Sequence, residues 1–152
     1  MYKIYRVTDK SIPDNKNRSA LHWAAQLGRL DFVTDLIEGG VDVNFRDNNG
    51  ATPLHYAAAA GLTANYTNVI QVLLDNGACV DSEDSESNTA LLFAAAKGAT
   101  FAIVKLIESG AEMQQSNMYG FTPLHAAAAA GKAQAVELLL TRGADISASN
   151  SH

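Results

Sequence analysis

A four-residue motif returns along this chain at nearly constant intervals, and that periodicity restricts the fold more than any other feature. Thr52-Pro53-Leu54-His55 recurs as Thr122-Pro123-Leu124-His125, with altered copies at Ser19-Ala20-Leu21-His22 and Thr89-Ala90-Leu91-Leu92. The fourth positions of these copies are 33, 37 and 33 residues apart. Two glycine series keep the same beat: Gly28, Gly61, Gly98 and Gly131, then Gly40, Gly77, Gly110 and Gly143. Their intervals run 33, 37, 33 and 37, 33, 33, so the second repeat carries four extra residues between Gly61 and Gly77, within 62–68. One supersecondary unit is stacked four times, and each copy buries its apolar face only against its neighbours.

The second repeat shows how such a unit forms. Thr52 is an N-cap whose hydroxyl can accept an orphan amide of the first turn, and Pro53 at the first helical position gives up an N–H that has no helical partner there. A short helix is therefore predicted to start at Pro53, run through alanines that favour helix and close approach, and stop at Gly61 in a left-handed conformation. A second helix follows with Val69, Ile70, Leu73 and Leu74 on one face, ended by Gly77. The segment from Asn44 to Asn49 is rich in turn formers and reads as a finger joining successive helix pairs.

In its period, its Thr-Pro-Leu-His core, its two glycines and its alanine pairs (Ala24-Ala25, Ala57-Ala58, Ala94-Ala95, Ala127-Ala128), the chain resembles the ankyrin repeat over residues 14–149. The resemblance implies an all-α fold: an ankyrin-repeat solenoid of stacked helix-turn-helix pairs with finger-like β-turn or hairpin loops. Repeats are placed at 14–46, 47–83, 84–116 and 117–149, with an N-terminal segment 1–13 that folds over the first helix pair and a tail 150–152. The resemblance also implies a non-catalytic module that binds a partner protein or peptide on the concave face lined by fingers and first helices. In that family, residues around the finger glycine and just before the inter-helix glycine face the partner. The matching positions are Asn15, Lys16, Arg18, Gln26 and Leu27 in repeat one, and Arg46, Asn48, Asn49, Ala51, Ala59 and Ala60 in repeat two. They are Glu83, Ser85, Glu86, Asn88, Ala96 and Lys97 in repeat three, and Ser116, Met118, Tyr119, Phe121, Ala129 and Ala130 in repeat four.

Composition and charge narrow the function classes. Net charge is −5, with +1 over residues 1–46 (seven basic, six acidic) and −6 over 47–152 (four basic, ten acidic). A phosphate backbone would meet repulsion along most of the stack, which argues against nucleic-acid binding. No apolar run is long enough to cross a bilayer, and the N-terminus lacks the apolar core of a secretory signal. With a single cysteine, Cys79, an intrachain disulfide is excluded, and the expected setting is intracellular, in the cytoplasm with the nucleus as the alternative. His22, His55 and His125 do not suggest a metal site, since packed helices lie about 8–10 Å apart and zinc needs ligand atoms at about 2 Å. They read instead as hydrogen-bonded braces within their own turns. The acidic run Asp81, Glu83, Asp84, Glu86 lacks the glycine and terminal glutamate of a calcium loop. With no phosphate-binding glycine loop and no nucleophile elbow, neither an enzyme nor a cofactor is expected.

Other positions carry sharper expectations. Met118, Tyr119 and Phe121 surround Gly120 at a finger tip, where they either await a partner or pack on one another or the preceding finger. Trp23, Tyr56 and Phe93 share the position after the motif histidine or its substitute, and read as core between helix pairs. Repeat three, with Ser87, Ala90 and Leu92 in place of glycine, proline and histidine, should have the loosest finger. Repeat four keeps Val136, Leu138, Leu139 and Leu140 without a polar C-terminal cap, so alternative roles are an assembly unit self-associating through that end or a targeting domain of a larger protein or enzyme.

Overall fold

The computed structural model describes residues 18–145. Within them eight helices form four pairs: α1 (Ala20–Leu27) with α2 (Leu30–Glu38), α3 (Pro53–Ala59) with α4 (Asn65–Asp75), α5 (Ala90–Lys97) with α6 (Thr100–Glu108), and α7 (Pro123–Ala129) with α8 (Ala133–Thr141). The first helices α1, α3, α5 and α7 pack in series, and so do the second helices α2, α4, α6 and α8. The chain is thus an all-α repeat solenoid, and among the described residues the fingers are turns without strands. The 1–13 segment, Asn15, Lys16, the repeat-one finger and the 150–152 tail lie outside the described residues.

The motif starts each first helix as its chemistry requires. Ser19, Thr52, Thr89 and Thr122 are extended N-caps, and the hydroxyls of Ser19, Thr89 and Thr122 accept the amides of His22, Leu92 and His125 at 3.4, 3.3 and 3.3 Å. At Thr52 the His55 amide turns instead to the Thr52 carbonyl at 3.0 Å.

Three of the four inter-helix glycines end their helices in the left-handed region, with φ of 70° at Gly28, 69° at Gly98 and 72° at Gly131. The amides that follow, of Arg29, Ala99 and Lys132, then reach back to Ala24, Ala94 and Ala127. Gly61 departs from the expectation: it is not left-handed, and the Leu62 amide bonds to the Ala60 carbonyl rather than reaching back a full turn. The insertion is the reason. Two of its residues lengthen α4 to 11 residues against 9 in its equivalents, and the rest lengthen the turn before it. Glycine is needed at 61 for proximity, because a Cβ there would lie 2.4 Å from the Ala102 Cβ on α6. The inserted residues also grip repeat one, where the Tyr66 hydroxyl donates to the Gln26 carbonyl at 2.7 Å and the Asn65 amide to the Gly28 carbonyl at 3.3 Å.

Packing follows the same repeat. Ala24, Ala25, Ala57, Ala58, Ala94, Ala95 and Ala127 are buried between first helices, where small side chains allow close approach. Val33, Leu36, Val69, Ile70, Leu73, Ile103, Leu106 and Leu139 fill the space toward the second helices, giving one core through all four pairs. Burying one such leucine contributes about 2 kcal/mol. Ala128, the eighth member of the alanine pairs, is exposed.

Candidate functional site

The fingers are built on a side chain eight residues before the motif histidine or its substitute: Asp47, Asp84 and Asn117. Asp47 Oδ1 accepts the amides of Asn49 and Ala51, both at 2.9 Å. Asp84 Oδ1 accepts those of Glu86 and Asn88 at 2.9 and 2.8 Å, and Asn117 Oδ1 those of Tyr119 and Phe121 at 2.9 and 3.0 Å. Each turn closes on a left-handed residue: Gly50 at φ 78°, Ser87 at 64° and Gly120 at 84°. Ser87 adopts this conformation at a cost of about 1–2 kcal/mol relative to glycine. The third finger therefore keeps the full set of turn bonds, contrary to the loosened finger that its lost glycine predicts. Neighbouring fingers are joined through the main chain, Ser85 N–H to the Asn49 carbonyl and Met118 N–H to the Glu86 carbonyl, both at 2.9 Å.

The motif histidines lock the fingers to the helices. The amides of Ser19, Thr52 and Thr122 donate to Nδ1 of His22, His55 and His125 at 3.1, 3.0 and 3.3 Å. An accepting Nδ1 leaves the ring proton on Nε2. His22 Nε2 then donates to the Ala51 carbonyl and His55 Nε2 to the Asn88 carbonyl, each at 2.8 Å. The brace expected within one turn therefore also reaches the next finger. Leu92 occupies the third place and makes no such bond. Burial of the His55 ring lowers its pKa, opposed by its bond to Asn88.

Between these fingers and the first helices of repeats two and three lies a concave groove of about 780 Å³. Of the residues expected to face a partner it gathers Gln26, Asn49, Ala51, Ala59, Ala60, Ser85, Glu86, Asn88 and Lys97. Its lining also includes the half-buried Tyr56 and Phe93 and the buried Asp47, His55 and Asp84, none of them among the residues expected to face a partner. A smaller hollow of about 180 Å³ continues toward repeat four, lined by Phe93, Asn88, Ala96, Phe121 and Ala129 among others.

Trp23, Tyr56 and Phe93 are not core residues. Trp23 is 40% exposed, and Tyr56 and Phe93 are half-buried with their rings edge-on to the preceding motif histidine, Tyr56 to His22 at 5.0 Å and Phe93 to His55 at 5.4 Å. The buried alanine pair fills the space between helix pairs, so the ring one residue after the histidine turns to the concave side.

The remaining candidates are distributed around the groove. The Arg18 guanidinium lies 4.2 Å from the Trp23 ring centroid. Arg46 donates to the Glu83 carbonyl at 2.5 Å, and the Glu83 carboxylate accepts from Gln115 at 2.5 Å, an arrangement outside the groove lining. Asn48, Met118 and Tyr119 are exposed at finger tips, and the Tyr119 hydroxyl donates to Glu86 Oε2 at 2.9 Å, which ties its tip to the preceding finger while the ring stays exposed. Phe121 is 37% exposed. In the groove, burial and the bond to Asp47 push the Tyr56 hydroxyl up to about 12. That hydroxyl remains a donor, to Asp47 Oδ2 at 2.5 Å.

Among the described residues no group of three His, Cys, Asp or Glu side chains is placed to hold a metal ion, and no helix is long and apolar enough to cross a membrane. A family model described as Ankyrin repeats (3 copies) matches residues 3–84 and again 63–150. The chain belongs to the ankyrin-repeat family. The two matches overlap in the middle of the chain, and together they span the four repeats of the solenoid. Ankyrin repeats are generally protein–protein interaction modules, and the family is typically non-catalytic. A comparison with curated proteins finds no match.

Proposed function

We propose that this ankyrin-repeat protein is a non-catalytic interaction module that holds a partner protein or peptide in its concave groove, centred on repeats two and three. The observation that carries the reading is the exposure of two aromatic rings, Tyr56 and Phe93, along a groove of about 780 Å³ whose fingers are fixed by internal hydrogen bonds. A groove fixed before binding loses little conformational entropy on association, and aromatic anchors dominate interface energetics. We take residues 14–149 as the domain and place it inside the cell, a reading supported by the lone cysteine.

Affinity capture with the wild type, the Tyr56→Ala/Phe93→Ala variant and the Met118→Ser/Tyr119→Ser/Phe121→Ser variant tests this function. A partner retained by the wild type and lost by the folded groove variant supports it, and the finger-tip variant reports whether the site extends to repeat four. A partner held equally by all three contradicts it.

A second reading rests on the other end of the stack. Leu140 is 42% exposed beside a hollow of about 420 Å³ that also includes Val136 and Ala128, and self-association through this face would make the molecule's mass in solution rise with concentration.

A further inference from the structure

Many of the groove's polar groups are engaged within the protein, and what its lining offers a ligand is charge. Four of its side-chain donors have acceptors inside the protein: the Tyr56 hydroxyl on Asp47, the Ser85 hydroxyl on the Asn49 carbonyl, His55 Nε2 on the Asn88 carbonyl, and the Asn88 amide on Asp84. Asp47, Asp84 and Glu86 line the same space, the first two buried and bonded within their fingers and Glu86 exposed, and among the described residues Lys97 is the one cation of the lining. Three carboxylates against one ammonium leave the lining net negative, so a positive charge on the ligand fits it best.

The repeat itself shows where such a charge sits. Arg18, four residues before His22, covers Trp23, one residue after it, at 4.2 Å. It also lies close enough to Tyr56 to draw the hydroxyl's pKa down against the effect of Asp47. The same two positions in repeat two are Ala51 and Tyr56, and in repeat three Asn88 and Phe93. Neither Ala51 nor Asn88 can supply a cation over the neighbouring ring. A guanidinium or ammonium over an aromatic face is favourable by about 0.5–2 kcal/mol. Repeats two and three thus repeat the ring of this arrangement without a cation from the same position, and add carboxylates beside it.

We propose that the partner is a basic peptide segment whose Arg or Lys side chain lies on Tyr56 and Phe93 and is directed to Glu86, filling over repeats two and three the place that Arg18 fills over repeat one. This rests on the concave groove being the binding site. An acidic segment or a nucleic acid would instead set its charges against the three carboxylates.

Bead-displayed octapeptides, randomised except for a central residue fixed as Arg, Gln or Glu, test it directly. The wild-type chain should favour the Arg pool over the Glu pool by about tenfold, and Glu86→Gln, which removes only the charge, should shrink that ratio severalfold. Ala51→Arg, which supplies the cation within the chain, should also suppress Arg-pool binding, with folding of both variants checked by circular dichroism. Equal binding of the three pools that is lost in Tyr56→Ala/Phe93→Ala overturns the cation while leaving the groove in place. An Arg preference that survives both Glu86→Gln and Ala51→Arg overturns its position. Retention no greater than that of Tyr56→Ala/Phe93→Ala in every pool overturns the groove as well.

Discussion

His55 Nε2 lies 2.8 Å from the main-chain carbonyl of Asn88, while Nδ1 of the same ring accepts the Thr52 amide at 3.0 Å. One imidazole therefore joins the start of its own helix to the finger of the next repeat, and the groove wall between repeats two and three hangs on it. Replacing it with leucine, the residue nature has at position 92, leaves the buried Thr52 amide without that acceptor and takes one of two donors from the part-buried Asn88 carbonyl, the Asp84 amide being the other. His55→Leu is expected to cost about 1–3 kcal/mol in urea unfolding, and Leu92→His, which can reach the Phe121 carbonyl, to gain about 1 kcal/mol.

Acidification should weaken the same joint. Burial lowers the His55 pKa in the folded chain below its ordinary value of 6.5, so the unfolded chain binds the proton more readily. Stability is then fully present above pH 6.5 and is lost as pH falls through the lower folded value. Urea midpoints measured from pH 7.5 downward should fall below that point, and the fall should be smaller in His55→Leu.

At Gly61 the expected cause of instability is steric. Gly61→Ala sets its Cβ against Ala102 at 2.4 Å and is predicted to cost about 1–3 kcal/mol by overpacking. Gly131→Ala meets no neighbour, and its φ of 72° should cost only about 1–2 kcal/mol through conformation. Adding Ala102→Gly should restore part of the stability of Gly61→Ala and nothing to Gly131→Ala.

A side-chain ladder runs along the finger bases and ends early. Asn44 Oδ1 accepts the Cys79 amide at 3.2 Å and Asp81 Oδ1 the Glu112 amide at 3.0 Å, whereas the next side chain, Gln114, is a methylene longer and its buried Oε1 has no partner among the described residues. Gln114→Asn should bring the oxygen back to the register of the ladder. Thermal unfolding is expected to move up by a few degrees, corresponding to about 1 kcal/mol.

The stack was legible because its determinants are local: a cap, a proline and a glycine each act within a turn of where they stand, and they recur in register. The concave rings were misread because a shared offset at Trp23, Tyr56 and Phe93 resembles core periodicity, while the buried alanines that displace them are silent in any hydropathy pattern. Asp47, Asp84 and Asn117 had a signal, their constant distance of eight residues before the motif position, but their role appears only when the finger closes on them. Tyr66 reaching Gln26 across 40 residues could not be read from an insertion with no counterpart in the other repeats.

The central claim is that the groove is where the partner lies. Amide chemical-shift mapping of the isotope-labelled chain, titrated with the tightest octapeptide whatever its central residue, tests that most directly. The account predicts perturbations centred on Gln26, Asn49, Glu86 and Lys97. Perturbations confined to Phe101 and Leu138, or to the Leu140 end of the stack, would contradict it.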